Sequence, residues 1–310
     1  MSYDLDGKLV VAVASSALFD LRESDHVFRT KGEEAYRQFQ RENEERILKP
    51  GVAFPLIKRL LSLHDEQHGL VEVLLFSRND PDTGLRVFKS IEHYDLPITR
   101  AVFVAGRNPF EYMTAFHASL FLSGNQDDVR EAIANGLPAG YVEETEYVDD
   151  DDEELRIAFD FDGVIADDSS EQVFTEVDNL DQYQQHEKIH AREALPEGPL
   201  YRFLAQLSKI QKQELQKQQV NESYKPKIRI ALCTARNAPA YERVVTTLRT
   251  WDIRVDEAFF LGGIEKKRVL EIYKPHIFFD DQRTHIEGVS KHFPSVHIPY
   301  GVANRVKNEE

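Results

Sequence analysis

The sequence predicts an α/β protein with a doubly wound parallel sheet, organised as two related halves. Three observations favour this fold class: short apolar runs recur along the chain, helical segments separate them, and polar or glycine-containing turns follow them. Strands that form continuous apolar runs are typical of parallel sheets covered by helices on both faces. Their alternation with helices favours the parallel arrangement.

The apolar runs are the predicted strands, and helical segments of about 10–15 residues separate them. In the first half they are residues 9–14, 71–76, 101–104 and 119–122, and in the second half 156–159, 228–233, 257–261 and 275–279. The order of strands, turns and helices is the same in both halves, which predicts a duplication. A single larger sheet is the alternative.

Two similar turns strengthen the predicted repeat. Ser77-Arg-Asn-Asp-Pro follows one apolar run and Thr234-Ala-Arg-Asn-Ala-Pro follows another, so that two Arg-Asn-X-Pro turns align without gaps. In the same alignment Ser123-Gly124 is the counterpart of Asp280-Asp281. The first half therefore lacks carboxylates that the second half has.

The acidic run 143–154 predicts a solvated linker between a first domain, residues 1–142, and a second, residues 155–310. A cation-binding loop is the alternative, but the run lacks the alternating ligands and the glycine of a calcium loop. Within the second domain, the polar segment 169–227 has helical character and predicts a small helical cap inserted into the fold. Insertions of this kind can close over an active site.

Composition limits the classes of partner. No apolar run reaches the ~18 residues of a membrane span, no signal peptide is evident, and one cysteine, Cys233, cannot form an internal disulfide. These features predict a cytoplasmic protein without a membrane partner. The net charge of −16 argues against long nucleic acids but not against a small phosphate ester, since a metal ion can reverse the field inside one pocket. The composition also allows a homo-oligomer.

Two carboxylates, Asp160 and Asp162, follow the predicted strand 156–159 directly. In open α/β sheets ligands gather at the carboxyl ends of strands, so these side chains are candidates for catalysis. One carboxylate can attack phosphorus while the other protonates the leaving oxygen and later activates water. Two carboxylates would repel phosphate unless a cation lies among them, which predicts Mg²⁺ as the cofactor.

Three further positions supply what phosphoryl transfer needs. Thr234 follows a strand and offers a hydroxyl donor. Lys266, or its neighbour Lys267, offers a positive charge near the start of a helix. Asp280-Asp281 offer carboxylates for the metal. Which of the two aspartates binds the metal stays open. Each element alone also suits a helix cap or turn, and their common order favours a single active site.

This order of Asp160-Phe-Asp-Gly-Val, Thr234, Lys266 and Asp280-Asp281 resembles the haloacid-dehalogenase-like phosphatase superfamily. The resemblance implies a haloacid-dehalogenase-like Rossmann-type sheet. It also implies that Asp160 is the nucleophile, that Asp162 is the general acid and base, and that Lys266 rather than Lys267 stabilises charge. In that superfamily the residue at the position of Asp162 binds the metal through its backbone carbonyl.

Nearly the whole chain is similar to one branch of that superfamily, the type I cytosolic 5′-nucleotidases. The segments that carry the resemblance are 15–20, 90–96, 129–133, 186–188, 275–282 and 299–303. The resemblance implies Mg²⁺-dependent hydrolysis of nucleoside 5′-monophosphates. Animal members carry Gly-Asp-Ala-Val where this chain has Phe161-Asp162-Gly163-Val164, which leaves both carboxylates in place and base preference open.

Several polar residues that follow strands or lie in the predicted cap are candidates for binding ribose, base or phosphate. They are Ser15, Ser16, Arg78, Asn79, Arg107, His186 and Arg236. His186 and His190 are spaced i, i+4, so they suit exposed helix positions, substrate contact or a second metal. A phosphatase of sugar phosphates and a non-catalytic nucleotide-binding protein are the alternative functions.

Overall fold

The computed structural model describes residues 3–63, 69–177 and 179–304. The chain divides into two compact units, residues 1–142 and 143–310. All strand pairs described in either unit are parallel, so the protein is a mixed α/β protein with largely parallel strands. No described helix is both long enough and apolar enough to span a bilayer.

The described residues of the first unit form five parallel strands, in the order β3-β2-β1-β4-β5. The strands are β1 Leu9–Ala14, β2 Val71–Ser77, β3 Arg100–Phe103, β4 Leu120–Ser123 and β5 Ala139–Val142. The helices are α1 Ser15–Leu18, α2 Arg22–Glu42, α3 Phe54–Ser62, α4 Leu85–His93 and α5 Gln126–Ala134, with a 3-10 turn at Pro109–Tyr112. β1, β2 and β4 are buried along their whole length, as expected for central strands covered on both faces.

In the second unit, the part of the chain that the structure describes also forms five parallel strands, in the order β8-β7-β6-β9-β10. The strands are β6 Leu155–Phe159, β7 Ile228–Thr234, β8 Glu257–Phe260, β9 Ile277–Asp280 and β10 Ser295–His297. The helices are α6 Ser169–Val177, α7 Leu180–Ile189, α8 Tyr201–Val220, α9 Tyr241–Thr250, α10 Lys266–Tyr273 and α11 Arg283–Val289, with a 3-10 turn at Val302–Asn304. The two units therefore share one strand order, in which β1 corresponds to β6.

The strand registers establish which residues correspond in the two units. Ser77 is level with Phe103 in the first unit, and Thr234 is level with Phe260 in the second. Val13 pairs with Leu122 and Phe159 with Phe279, so one residue further along Ala14 is level with Ser123 and Asp160 is level with Asp280. Ala14 thus stands at the position of the predicted nucleophile.

The sequence suggested that the two Arg-Asn-X-Pro turns align without a gap, but the structure shows that they do not. In the structural register Asn79 corresponds to Arg236, because Ala105 N bonds Asn79 O in the first unit and Gly262 N bonds Arg236 O in the second. The arginine and asparagine of one turn are therefore offset by one position from those of the other in the structure. The predicted correspondence of Ser123 with Asp280 does agree with the registers.

Helix α8 packs on the sheet of the second unit. The Phe203 ring lies 6.1 Å from the Phe159 ring on β6 and 6.0 Å from the Phe279 ring on β9, measured between centroids. α8 therefore connects strands in the way of an ordinary crossover helix. Of the predicted insertion 169–227, only α6 and α7 are left as candidates for a cap.

The acidic run is bound to the second unit rather than free in solvent. The buried Arg156 guanidinium donates to Asp152 Oδ2 at 2.6 Å and to Asp150 Oδ2 at 2.5 Å. His276 Nε2 lies 3.1 Å from Asp150 Oδ1. Asp149, Asp150 and His276 are close enough to hold a cation, but Asp150 and His276 already have these partners. The cluster anchors the chain.

Candidate active site

The predicted catalytic residues meet at the carboxyl ends of three neighbouring strands. Asp160 follows β6, Thr234 is the last residue of β7, and Asp280 is the last residue of β9. Because β6 lies between β7 and β9, the three side chains start from adjacent positions along one sheet edge. All three are buried.

Lys266, the first residue of α10, lies between two of these carboxylates. Its Nζ is 2.8 Å from Asp160 Oδ2 and 2.6 Å from Asp280 Oδ2, and the residue is only 4% exposed. Burial alone would lower the pKa of the Lys266 ammonium, but the two carboxylates raise it above its ordinary value. Lys267 instead lies on the surface near Glu271.

The two carboxylates that share Lys266 differ in their electrostatics. Burial raises the pKa of Asp160 to about 6; Lys266 opposes this shift, and the charge of Asp280 adds to it. Burial would also raise the pKa of Asp280, but Lys266 and the His285 ring, 3.3 Å away, lower it below its usual value. The Gln282 N–H also donates to Asp280 Oδ1 at 2.8 Å. Asp280 is therefore the stronger acid of the two.

Asp281 has no comparable partners. Neither oxygen of its buried carboxylate has a hydrogen bond within the described part of the chain. Burial, followed by the charges of Asp160 and Asp280, raises its pKa well above the ordinary value. Its backbone carbonyl, in contrast, accepts from Asn304 Nδ2 at 2.9 Å. The main chain is fixed while the carboxylate is left for a ligand.

Asp162 forms a two-pronged ion pair with Arg236. Arg236 Nε donates to Asp162 Oδ2 at 2.7 Å, and Nη2 donates to Oδ1 at 2.6 Å. The third guanidinium nitrogen, Nη1, contacts the carboxylate of Glu187 on α7. The structure thus places this candidate phosphate ligand against the predicted general acid and base.

Thr234 Oγ1 accepts a hydrogen bond from the Arg236 N–H at 3.2 Å. Its counterpart in the first unit behaves alike, since Ser77 Oγ accepts from the Asn79 N–H at 3.1 Å. In both units the hydroxyl therefore shapes the turn after the strand. The Thr234 hydroxyl hydrogen stays available for an acceptor.

Glu171, on α6, was not predicted as a site residue. Its Oε1 accepts from Gln282 Nε2 at 3.0 Å, and its buried Oε2 has no partner among the described residues. Burial, followed by the charges of Asp162 and Asp160, raises the pKa of Glu171 to about 7. No sequence signal marks this glutamate, because its importance depends on how α6 lies against the sheet.

This part of the molecule has more carboxylates than cations. The carboxylates are Asp160, Asp162, Glu171, Asp280 and Asp281, and the cations in contact with them are Lys266 and Arg236. The unpartnered Asp281 oxygens and the raised pKa values are what an absent positive charge would leave behind. Asp160, Asp280 and His285 also have ligand atoms within 4.8 Å of one another. The carboxylates among these residues fit a cation with hard oxygen ligands.

The predicted substrate residues of the first unit already have local partners. Ser15 Oγ lies 3.2 Å from Ser77 Oγ, and Ser16 Oγ accepts from the Gly124 N–H at 3.2 Å. By register Ser16 corresponds to Asp162. The hydroxyls thus stabilise the strand ends that carry carboxylates in the second unit.

The remaining candidates of the first unit are held by side chains around them. Arg78 Nε donates to Asp128 Oδ1 at 2.7 Å, and Asn79 Oδ1 accepts from Tyr36 OH at 2.8 Å. Arg107 Nε approaches the Val104 carbonyl at 3.4 Å. Arg78 is thereby neutralised.

His186 lies on α7, next in sequence to Glu187, which contacts Arg236. Its Nδ1 is 3.3 Å from Glu187 Oε1, and its ring is 4.5 Å from that of His190. His190 Nδ1 in turn lies 2.8 Å from Glu193. The described histidines, aspartates and glutamates form no group of three metal ligands at this point.

The sequence profile of the 5′-nucleotidase family matches residues 1–305. The chain belongs to the 5′-nucleotidase family. Human cytosolic 5′-nucleotidase 1B is 35% identical to it over 295 residues, which are 91% of this chain and 47% of the human protein. This 5′-nucleotidase family chain therefore spans about half the length of that relative. A comparison with solved structures gives a crystal structure of histidinol dehydrogenase from Elizabethkingia anophelis, at 9% sequence identity. The match covers 95% of this chain and 80% of the other, with a TM-score of 0.22.

Proposed function

We propose that the chain is a magnesium-dependent 5′-nucleotidase, a phosphoric monoester hydrolase that converts nucleoside 5′-monophosphates to nucleoside and phosphate. The observation that carries this proposal is the position of Lys266 between Asp160 and Asp280, with the unpartnered Asp281 beside them. A nucleophile, a positive charge and a carboxylate without a partner are thereby gathered at one sheet edge. Membership in the 5′-nucleotidase family supports the substrate class.

Asp160 is the proposed nucleophile. One of its oxygens attacks phosphorus, a new Asp160–phosphorus bond forms, and the bond from phosphorus to the 5′ oxygen breaks. Lys266 neutralises negative charge on the transferring group, and the Thr234 hydroxyl donates to a phosphoryl oxygen. Asp162 protonates the leaving oxygen, then takes a proton from the water that hydrolyses the aspartyl phosphate.

Asp160, the backbone carbonyl of Asp162, and Asp281 are the proposed magnesium ligands. When bound, the cation would neutralise the carboxylates and draw the phosphate toward them. Asp281 is favoured over Asp280 because the Asp280 oxygens already bind Lys266, Gln282 N–H and His285, whereas the Asp281 oxygens have no described partner. Asp280 then orients Lys266.

The two units are proposed to have different roles within a haloacid-dehalogenase-like, doubly wound fold. Residues 155–310 form the catalytic domain, α6 and α7 its cap, and 143–154 the linker. The first domain, residues 1–142, does no chemistry, because Ala14 and Ser123 replace the carboxylates of Asp160 and Asp280. Its proposed role is nucleotide binding through Ser15, Ser16, Arg78, Asn79 and Arg107. In the second unit, His186 of the cap is a proposed substrate contact.

The cytosol is the proposed location, since the human relative is named a cytosolic enzyme. A small nucleotide is the proposed partner, and the charge of −16 disfavours long nucleic acids. Formation of a homo-oligomer can be tested directly by light scattering.

The decisive experiment is turnover by Asp160→Asn. This variant should release no phosphate from AMP, while it keeps its circular dichroism spectrum and its magnesium-dependent binding of AMP. Wild-type turnover by Asp160→Asn would contradict the mechanism. Unchanged turnover of the wild-type protein in excess chelator would show that the reaction does not need the metal. A panel of nucleoside monophosphates and sugar phosphates tests the substrate class, which is wrong if sugar phosphates are hydrolysed as fast.

A further inference from the structure

We propose that Glu187, on the cap helix α7, is a positioning residue that acts on Asp162 through Arg236. The proposal rests on the function given above, in which Asp162 moves the protons. As a consequence, proton transfer at the reacting phosphate requires α7 to be packed with Glu187 against Arg236. Glu187 does not contact the reacting atoms; it fixes the group that fixes Asp162.

The first step is the geometry of Arg236. The residue is 4% exposed, and its Nε and Nη2 bind the two oxygens of Asp162 in parallel. A two-pronged pair of this kind sets the plane of a carboxylate as well as its distance. The guanidinium carbon also lies 5.5 Å from the centre of the Phe161 ring, which limits movement of Arg236 to one side.

The second step is the remaining guanidinium nitrogen. Arg236 Nη1 binds Glu187, and its next contact is the Ala240 carbonyl at 3.5 Å, the outer limit for a hydrogen bond. A buried guanidinium that loses its carboxylate turns toward other acceptors. Without Glu187, Arg236 would therefore no longer be fixed in the orientation that Asp162 needs.

The third step is the anchoring of Glu187 itself. Its side chain is fully buried, and Oε1 accepts from Ser170 Oγ on α6 at 2.8 Å and from Arg243 Nη1 on α9 at 2.9 Å. Burial would raise the pKa of Glu187, but Arg236, Ser170 and Arg243 lower it, so the carboxylate is ionised at neutral pH. Glu187 thus joins both cap helices to the turn that follows β7.

The fourth step is the effect on chemistry. General acid and base catalysis depends on a carboxylate oxygen within hydrogen-bond distance of the proton it moves, and displacements of about 1 Å can cost about 10²-fold in rate. Asp162 acts twice in the proposed reaction, on the leaving oxygen and on water. Loss of its positioning should slow both steps, but Asp160 should still attack an ester whose leaving group needs no proton.

The experiment compares two substrates in the full-length protein. p-Nitrophenolate leaves without needing a proton, whereas the 5′ oxygen of AMP needs one. For Glu187→Gln we expect kcat on AMP to fall about 10- to 100-fold with KM within about threefold. With p-nitrophenyl phosphate we expect a rapid burst of one p-nitrophenolate per enzyme, because the aspartyl phosphate forms normally and is hydrolysed slowly.

Three comparison variants make the result specific. Asp162→Asn should give the same burst, and Arg236→Lys, which keeps the charge but lacks the two-pronged geometry, should resemble Glu187→Gln. Glu193→Gln changes an exposed glutamate near the end of α7 and should behave as wild type. Arg236→Lys also tests the proposal independently if Glu187→Gln does not fold.

The outcomes separate the two proposals. If Asp160→Asn still turns over AMP, the proposed mechanism fails. If Asp160→Asn is inactive and Asp162→Asn shows the burst, but Glu187→Gln and Arg236→Lys match wild type, only the positioning role is overturned. An equal loss on both substrates without a burst would overturn it too, since that pattern indicates general damage to the fold.

Discussion

A Cβ atom on Gly163 would lie 2.5 Å from Asp281 Oδ2. The turn after Asp162 therefore touches the one carboxylate of the site that has no described partner. Gly163 also has φ of +70°, a conformation that costs other residues about 1–2 kcal/mol. Both the backbone angle and the lack of a side chain keep Asp281 in its place beside the nucleophile.

Gly163→Ala should therefore weaken metal activation. Its methyl group must displace the Asp281 carboxylate, so we expect kcat to fall at least 10-fold and the magnesium concentration for half-maximal activity to rise. Gly136→Ala is the matched control, since Gly136 has φ of +71° but nothing within 4 Å of a Cβ. The control should lose about 1 kcal/mol of stability with unchanged magnesium dependence. Equal magnesium curves for the two variants would contradict the role given to Gly163.

Lys266→Met should destabilise the protein at neutral pH. It leaves Asp160 and Asp280 buried without their counter-charge, which costs about 3–5 kcal/mol. Without the lysine, the pKa of Asp160, which is already raised, should rise further, and that of Asp280 should rise above its unfolded value, so stability should return as pH falls. Urea unfolding in chelator at pH 5 and pH 7.5 measures this difference. Lys267→Met, on the surface, should change neither stability nor activity.

Thr234→Ala and Ser77→Ala form a pair matched by register. Each removes a hydroxyl that accepts a hydrogen bond from the backbone two residues later, so each should cost about 1 kcal/mol of stability. Only Thr234→Ala should reduce kcat, by about 10-fold or more, because only Thr234 lies beside the nucleophile. Steady-state kinetics on AMP measure the difference. A comparable loss in Ser77→Ala would mean that the first unit takes part in the chemistry.

Glu171 should make the metal-free protein less stable as pH rises. Its pKa of about 7 in the folded state is above its ordinary 4.5, so the folded state holds the proton more tightly. The stabilisation is complete below about pH 4.5 and is lost as pH rises to about 7. In chelator, Glu171→Gln should reduce the fall in Tm between pH 5 and pH 8. The exposed Glu92→Gln should leave the fall unchanged.

The sequence was informative where chemistry and strand ends coincide. Asp160, Thr234 and Asp280 follow apolar runs, and parallel strands bring such residues to one edge, so their meeting could be predicted without coordinates. The 5′-nucleotidase family was likewise recognised from long segments of the chain, and the profile match confirms it. Alternation of strands and helices sufficed for the α/β class.

The helical segment shows what could not be predicted. In sequence, residues 169–227 form one polar segment of helical character, so no pattern separates α8, which packs on the sheet, from α6 and α7. Glu171 and Glu187 are ordinary helix glutamates in sequence and become important only through burial against other charges. The partner of Arg236 was hidden for the same reason, because ion pairs between distant segments leave no periodic signal.

Ala14 and Ser123 have a consequence for tolerance to mutation. In the second unit a change at Asp160 or Asp280 disturbs a shared buried charge, so any substitution there must be answered by another. Of their neutral counterparts, Ala14 is limited by the space around it, and Ser123 by its hydrogen bonds with the Asn125 N–H and the Asp128 carboxylate. Substitutions at the strand ends should therefore be tolerated more readily in the first unit than in the second, although both units share one strand order.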